Sequence, residues 1–246
     1  MGADQHHDWH AQIASALDWW RDAGVDVAVQ DAPRDWLAPL PIAVTLAKPI
    51  VAPTVAAPPL PATLAAFASW RTGEAAPERG WGGRLFAAEG PVDAALMVLI
   101  EMPEREDAAE GRLLSGASGR LFDRMLAAIG LDRGAVHLAS VACARPVSGR
   151  IPRDQVEPLG IIARHYVSLV APRYLLLLGN CASRTILDGD CTNLRGRLHA
   201  LNHAGPTDGG TTMALASFHP QLLIERPAQK AEAWKDLQLL LGKLGR

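Results

Sequence analysis

The sequence predicts an α/β protein, built as a three-layer α/β/α domain around a central, mostly parallel four-stranded sheet. Four short apolar runs alternate with helical segments over residues 62–246. One of the runs, "AALMVLI", is continuously apolar, which is typical of a strand that is buried on both faces. Strands that alternate with helices form parallel sheets with helices on both sides.

The predicted elements follow one another along this part of the chain. The stretch "SGRLFDRMLAAIG" is amphipathic and ends at a glycine, as many helices do. A helix over residues 153–172 contains Pro158 and Gly160, which weaken helix interiors. The strands are expected at residues 94–100, 135–143, 173–179 and 212–218, and the other helices at "TLAAFASW", "CASRTIL" and "AQKAEAWKDLQLLLGKL".

The N-terminal part of the chain has a different composition. Residues 10–30 predict a helix that ends at Gly24. Residues 31–61 contain eight of the 18 prolines, which excludes a long helix or an inner strand, because proline lacks an N–H donor and has a fixed φ. We therefore expect a helical extension over residues 1–30, a Pro- and Ala-rich linker over residues 31–61 and the α/β domain over residues 62–246.

Composition narrows the class of protein and its partners. No run reaches the ~18–20 apolar residues that a membrane helix requires, and the polar N-terminus does not resemble a signal peptide. The three cysteines show no metal-type spacing, which suits free thiols in a reducing cytoplasm, so we expect a cytoplasmic protein. We also expect it to act as a monomer. Residues 1–110 contain 7 Lys+Arg against 16 Asp+Glu, whereas residues 111–246 contain 17 against 10, which suits an anionic partner on the basic side.

Polar segments follow the predicted strands: "EMPERED" after the first, "CARPVSGRIP" after the second and "HPQLL" after the fourth. Because the carboxyl ends of parallel strands meet at one edge of a sheet, we expect these segments to line a single cleft. Carboxylates can orient water, arginines in rigid loops bind phosphates, and His219 precedes a helix that Pro220 starts. P-loop and nucleophile-elbow motifs are absent, and His6, His7 and His10 have no further ligand nearby, so we expect no metal site.

In this order, the segments resemble the motifs of the uracil-DNA glycosylase superfamily, most closely the bacterial and archaeal family that carries a 4Fe–4S cluster. "IEMPE" is similar to Gly-Glu-x-Pro-Gly and retains Glu101 and Pro103, with Glu104 in place of the second glycine. "GASG" matches Gly-x-Ala-Gly, and "HPQLL" is similar to His-Pro-Ser-x-Leu. "ARPVSGRIP" matches an Arg-Pro and Asn-Arg-x-Pro motif, with Gly149 in place of the asparagine. The resemblance extends from about Thr63 to the C-terminus.

The resemblance implies hydrolysis of the N-glycosidic bond of uracil or another damaged base in DNA, after the base has been flipped out of the stack. Asp107 would orient the attacking water, Glu101 would form the pocket floor, and His219 would stabilise the leaving base. The implied base pocket contains Pro103, Leu114 and Ser140. The implied DNA contacts are Arg145 and Arg150 at phosphates, Leu222 and Leu223 as a wedge in the base stack, and Arg226 beside them.

The chain departs from the family pattern at positions with known roles. Ser140 replaces the asparagine that reads the uracil edge, and Leu114 replaces the aromatic residue that stacks on the base, which predicts weakened or altered base specificity. The four cluster cysteines are absent: Ala144 stands at one of their positions, and neither residues 153–172 nor "AAFASWRTGEAAPERGW" contains a cysteine. We therefore expect no iron–sulfur cluster and no other cofactor.

Two other interpretations remain open at this point. The chain could be a catalytically inactive member of the superfamily that binds DNA or a repair partner, or a hydrolase of free nucleosides and other small N-glycosides. Base release from DNA would indicate the glycosylase. Salt-sensitive DNA binding without release would indicate the inactive member, and turnover of nucleosides without DNA affinity would indicate the third class.

Overall fold

The computed structural model of the protein describes residues 9–24, 60–202 and 211–244. By its internal contacts the chain divides into two units, Met1–Ala56 and Ala57–Arg246. The first unit contains helix α1 (Trp9–Asp22), which is followed by Gly24 with a φ of 81°. Apart from Leu60 and Pro61, the expected proline-rich linker lies outside the described residues.

The second unit has a central sheet, which confirms the predicted α/β class. Its described strands are β1 (Leu96–Ile100), β2 (Val136–Ser140), β3 (Tyr174–Leu178), β4 (Leu198–Asn202) and β5 (Thr211–Ser217). Their order in the sheet is β2-β1-β3-β5-β4, and all neighbours are parallel except β4 and β5. The sheet therefore has one strand more than predicted, and that strand lies antiparallel at its edge.

Helices cover both faces of this sheet. Their bounds are α2 (Leu64–Arg71), α3 (Asp107–Glu110), α4 (Ala117–Ala128), α5 (Arg153–Val170), α6 (Asn180–Leu187), α7 (Cys191–Leu194), α8 (Pro220–Glu225) and α9 (Lys230–Leu244). Side chains of α4, α8 and α9 form one core with alternate residues of β1, and side chains of α2, α5 and α6 form a second core with the other residues of β1. These two cores on opposite faces make the expected three layers.

Helix α5 continues through both residues that weaken its interior. It begins directly after Pro152 and contains Pro158 and Gly160. The helix also buries Leu159 and Val167 against the sheet, and such burial contributes about 1.5–3 kcal/mol per large apolar side chain. Packing therefore outweighs the local cost. No helix of the described part of the chain is both long enough and apolar enough to cross a membrane.

Candidate active site

The carboxyl ends of four strands lie side by side at one edge of the sheet. Strand β1 pairs in parallel with β2 and with β3, and β3 pairs in parallel with β5. The segments that begin at Glu101, Val141, Gly179 and Phe218 therefore emerge at the same edge. In parallel sheets, this edge is where ligands bind.

His219 is held at the N-cap of α8, directly after this edge. Its Nδ1 accepts a hydrogen bond from the backbone N–H of Gln221 at 3.2 Å, and Pro220 occupies the first helical position, where an N–H is not needed. When the ring is neutral, an accepting Nδ1 leaves the proton on Nε2. Burial lowers the pKa of His219 to about 4, although the charge of Asp107 opposes this shift. At neutral pH the side chain is therefore a neutral donor through Nε2.

A cleft of about 480 Å³, which we call the His219 cleft, opens beside this imidazole. Glu101 also lines it, and the Glu101 carboxylate accepts no hydrogen bond from the described residues. Burial raises the pKa of Glu101, and the positive charge of Arg145 partly opposes that rise. Leu222 and Arg226 line the same cleft. The structure thus brings four of the predicted site residues together.

A second cleft, of about 400 Å³, is lined by Arg84, Arg105, Arg145 and Arg150, and we call it the arginine cleft. Nη1 of Arg145 donates a hydrogen bond to the backbone carbonyl of Pro103 at 3.2 Å, which orients the guanidinium. Fixed guanidinium groups suit phosphate oxygens. Sequence reasoning missed Arg84 and Arg105, although Arg105 belongs to the strand-end segment "EMPERED", which could have indicated it.

Glu104 lies between the arginine cleft and the imidazole of His219. It lines the arginine cleft, and its Oε1 lies 4.0 Å from Nδ1 of His219. Burial raises the pKa of Glu104, the neighbouring charges of Asp107 and Glu106 raise it further, and that of Arg145 lowers it. The motif comparison marks Glu104 only as the replacement of a glycine. That replacement was the available signal for a carboxylate beside His219.

Asp107 faces its own loop and is completely buried. Its Oδ1 accepts hydrogen bonds from the N–H and the hydroxyl of Ser115, both at 2.7 Å. Its Oδ2 accepts from the N–H of Glu104 at 2.8 Å and of Leu114 at 3.0 Å. A carboxylate has about four lone-pair sites, and here all are occupied. Asp107 therefore holds the loop between β1 and α4, and no lone pair is left for the water that it was expected to orient.

Leu114 and Leu223 lie in the core, away from the contacts expected of them. Leu114 is 0% exposed and has a φ of 50°, and Leu223 is 2% exposed. Both belong to the apolar cluster of the face that α4, α8 and α9 cover. Burial stabilises such side chains more than exposure to a solvated cleft. Leu114 is thus not placed to stack on a base, and Leu222 rather than Leu223 is placed to contact DNA.

The remaining base-pocket residues line different cavities. Ser140 lines an apolar cavity of about 140 Å³ together with His137 and Tyr166, and Pro103 lines the arginine cleft. His137 and Tyr166 are joined by a hydrogen bond of 2.6 Å. The single cleft expected from the strand-end segments is therefore divided. Arginine side chains line one part, His219 lines another, and Ser140 lies against a third.

Metal ligands are not clustered in the part of the chain that the structure describes. No group of three or more His, Cys, Asp or Glu residues there could hold a metal ion, and His6 and His7 lie outside that part. Burial raises the pKa of Cys143, Cys181 and Cys191 to about 12 in each case. Their thiols are therefore protonated, and protonated thiols are neither good ligands nor good nucleophiles.

Residues 87–238, more than half of the chain, match the family model described as the uracil DNA glycosylase superfamily. The chain belongs to this superfamily. The matched range contains all of the predicted site residues. A Type-4 uracil-DNA glycosylase of Pyrobaculum aerophilum is 26% identical over 157 residues, which are 63% of this chain and 80% of that protein. Another, of Archaeoglobus fulgidus, is 26% identical over 156 residues, which are 61% of this chain and 76% of that protein.

Proposed function

We propose that the protein hydrolyses the N-glycosidic bond of uracil, or of another damaged base, in DNA. The observation that carries this proposal is the His219 cleft. There, a neutral imidazole with its proton on Nε2 lies in the same cleft as the half-buried carboxylate of Glu101. The cleft lies at the ligand-binding edge of the sheet, in a chain that belongs to the uracil-DNA glycosylase superfamily.

His219 would stabilise the leaving base. When the N-glycosidic bond breaks, negative charge develops on the base, and a preorganised N–H donor stabilises that charge where it forms. Nε2 can serve as this donor because Nδ1 already accepts the N–H of Gln221. The removal of one such donor typically lowers a rate by about 10²–10³-fold.

Glu101, rather than Asp107, would orient the attacking water. The carboxylate of Asp107 is fully occupied by hydrogen bonds from its own loop, whereas that of Glu101 lines the cleft. Water attacks C1′ of the sugar and passes its proton to the carboxylate as the base departs. Burial raises the pKa of Glu101, and a carboxylate with a raised pKa is a stronger general base.

The DNA strand would bind along the arginine cleft, with phosphates at Arg145 and Arg150 and with Leu222 against the gap left by the flipped base. Ser140 lies against another cavity and Leu114 lies in the core, so neither provides the contacts that select uracil. We therefore extend the proposal to bases other than uracil. The proposal includes action in the cytoplasm and as a monomer.

A panel of oligonucleotides that contain uracil, hypoxanthine, xanthine or alkylated bases tests this proposal, with abasic sites measured by alkaline cleavage. We expect His219→Ala and Glu101→Gln each to lower the rate of base release by about 100-fold or more. His199→Ala is the matched control, because His199 lies on β4 and its Nε2 bonds to the carbonyl of Leu194. If His219→Ala releases bases as fast as the wild type, the proposal is wrong.

DNA binding without catalysis is the second candidate function. Two observations favour it. The carboxylate of Asp107 is occupied by hydrogen bonds from its own loop, so it is not available for catalysis, and the side chain of Leu114 is buried, so it is not available to stack on a base. This candidate predicts no base release by the wild type on any oligonucleotide. It also predicts that the affinity for DNA falls as the salt concentration rises, and that Arg145→Ala binds DNA more weakly than the wild type.

A further inference from the structure

A buried ion pair occupies the segment in which the resemblance implies two cluster ligands. Arg71, at the end of α2, and Glu78, in the 3₁₀ helix Pro77–Trp81, are 8% and 0% exposed. Two hydrogen bonds join the guanidinium to both carboxylate oxygens. We propose that this ion pair has taken over the structural role of an iron–sulfur cluster, and that it positions the loop of Arg145 without a metal.

The ion pair is bonded to a second of the three segments in which cluster ligands are implied. Nη2 of Arg71 donates to the carbonyl of Val141 at 2.8 Å, and Glu78 Oε1 accepts the N–H of Cys143 at 2.9 Å. Of these two residues, Cys143 directly precedes Ala144, where the resemblance implies a cysteine. The pair thus joins two of the three stretches of chain that a cluster would join; the third is helix α5.

Neighbouring backbone contacts extend this junction to the arginine cleft. The N–H of Phe86 donates to the carbonyl of Cys143 at 2.7 Å. Gly83 approaches the loop so closely that an added Cβ would lie 3.1 Å from the carbonyl oxygen of Arg145. Gly83 and Phe86 also line the arginine cleft. The segment that carries the ion pair therefore supports the backbone of the loop that presents Arg145.

The cysteines of the chain do not fit a 4Fe–4S cluster. Such a cluster is usually held by four thiolates, and the sequence contains three cysteines. Cys191 lies in the core on one face of the sheet, whereas Cys181 packs against the core on the other face. The thiol of Cys143 donates to the carbonyl of Arg71 at 3.4 Å, and burial raises its pKa to about 12. It is therefore protonated and already bonded.

A double substitution can separate the positioning role from stability. When both partners of a buried ion pair are replaced by apolar residues of similar volume, stability is often unchanged or higher. In this protein, Arg71→Met with Glu78→Leu would also remove the hydrogen bonds to Val141 and Cys143. We therefore expect a folded protein with a loosened Arg145 loop.

The control is the pair Glu74 and Arg79, which lies in the same segment but is exposed. Hydrogen exchange at the amides of residues 143–145 should be about tenfold faster in the Arg71→Met/Glu78→Leu variant than in Glu74→Leu/Arg79→Met, because Cys143 loses its acceptor. The affinity for DNA should fall in the first variant and not in the control. Where the double variant does not fold, Arg71→Lys replaces it, because one ammonium cannot reproduce the two guanidinium bonds to Glu78 together with the bond to Val141. Glu78 keeps the N–H of Cys143 in this variant, so exchange at residues 143–145 should exceed that of the control by a smaller factor.

The wild-type protein supplies the test of the cluster itself. Protein purified without oxygen, and then treated with ferrous iron and sulfide, should contain no iron or sulfide above the background and show no absorption band near ~400 nm. Stoichiometric iron and sulfide would overturn the proposal, and so would equal exchange at residues 143–145 in variant and control. This inference rests on the proposed function only through the DNA measurement. If the wild type binds no DNA, the proposed function fails, whereas the iron and exchange results still decide about the ion pair.

Discussion

Replacement of Asp107 by asparagine distinguishes a structural role of this residue from a catalytic one. The carboxylate accepts four hydrogen bonds, whereas an asparagine side chain has one oxygen with two lone pairs and an NH₂ group that only donates. Two donors therefore lose their acceptor, and burial keeps water from replacing it. Each such donor costs about 1–3 kcal/mol, so we expect the free energy of unfolding to fall by about 2–6 kcal/mol.

Urea denaturation followed by tryptophan fluorescence measures this change. Asp123→Asn is the control, because Asp123 is partly exposed and bonds to Arg133 at 2.6 Å. The free energy of unfolding of this variant should fall by at most about 1 kcal/mol. The folded fraction of Asp107→Asn should still release bases at nearly the wild-type rate, since we propose that Glu101 and not Asp107 orients the water. A variant that is as stable as the wild type but releases no base would refute this reasoning and indicate that Asp107 orients the attacking water.

Three further predictions address charge and packing. Because burial lowers the pKa of His219 from 6.5 to about 4, the unfolded chain takes up this proton first as the pH falls, and stability is lost between these values. His219→Asn retains a capping acceptor but removes the titrating group. When the pH falls from about 7.5 to about 5, the free energy of unfolding measured in urea should therefore drop by about 2 kcal/mol less in this variant than in the wild type. Equal drops would contradict the lowered pKa of His219. Arg145→Ala should reduce the slope of log Kd for DNA against log salt by about 1, whereas Arg173→Ala, at the opposite end of β3, should leave it unchanged. Gly119→Ala should lower the free energy of unfolding by about 1–3 kcal/mol or more, because its Cβ would lie 1.7 Å from a backbone carbonyl oxygen. At Gly80 an added Cβ would meet no atom within 4 Å, so Gly80→Ala should change the free energy of unfolding by less than about 0.5 kcal/mol. If thermal unfolding shows Gly80→Ala to be the less stable of the two variants, the packing around Gly119 is not as described.

The buried strands were predictable because each lies between two layers of helices. Leu96–Ile100 and Tyr174–Leu178 are buried at every position, and a strand with two covered faces must be apolar throughout. Strand β4 (Leu198–Asn202) was missed because only part of it is half-buried and the rest is exposed. Its hydrogen bonds to β5 hold it at the edge, and backbone pairing of this kind leaves no apolar run in the sequence.

The candidate site was predictable as a set of strand ends but not as a set of side-chain directions. The alternation of strands and helices places Glu101 and His219 at one edge, whatever their surroundings. The direction of Asp107 depends on four donors that its own loop provides, and Leu114 adopts a φ of 50° that spacing does not reveal. Resemblance to a motif therefore located these residues in the chain without fixing what they contact.

Three positions at which the chain departs from the family motifs have contacts in the site or next to it. Glu104 replaces a glycine and lies 4.0 Å from Nδ1 of His219. At Gly149, which replaces an asparagine, an added Cβ would lie 3.2 Å from Nη2 of Arg145, so the missing side chain leaves room for that guanidinium. Ala144 follows directly after the backbone that the Arg71–Glu78 ion pair holds. In two of these cases the partner is remote in sequence, so a motif comparison reports only a lost residue. Each of the three positions lies beside the Arg145 loop or the His219 imidazole, so we expect that the family residue restored at one of them alone would disturb these contacts.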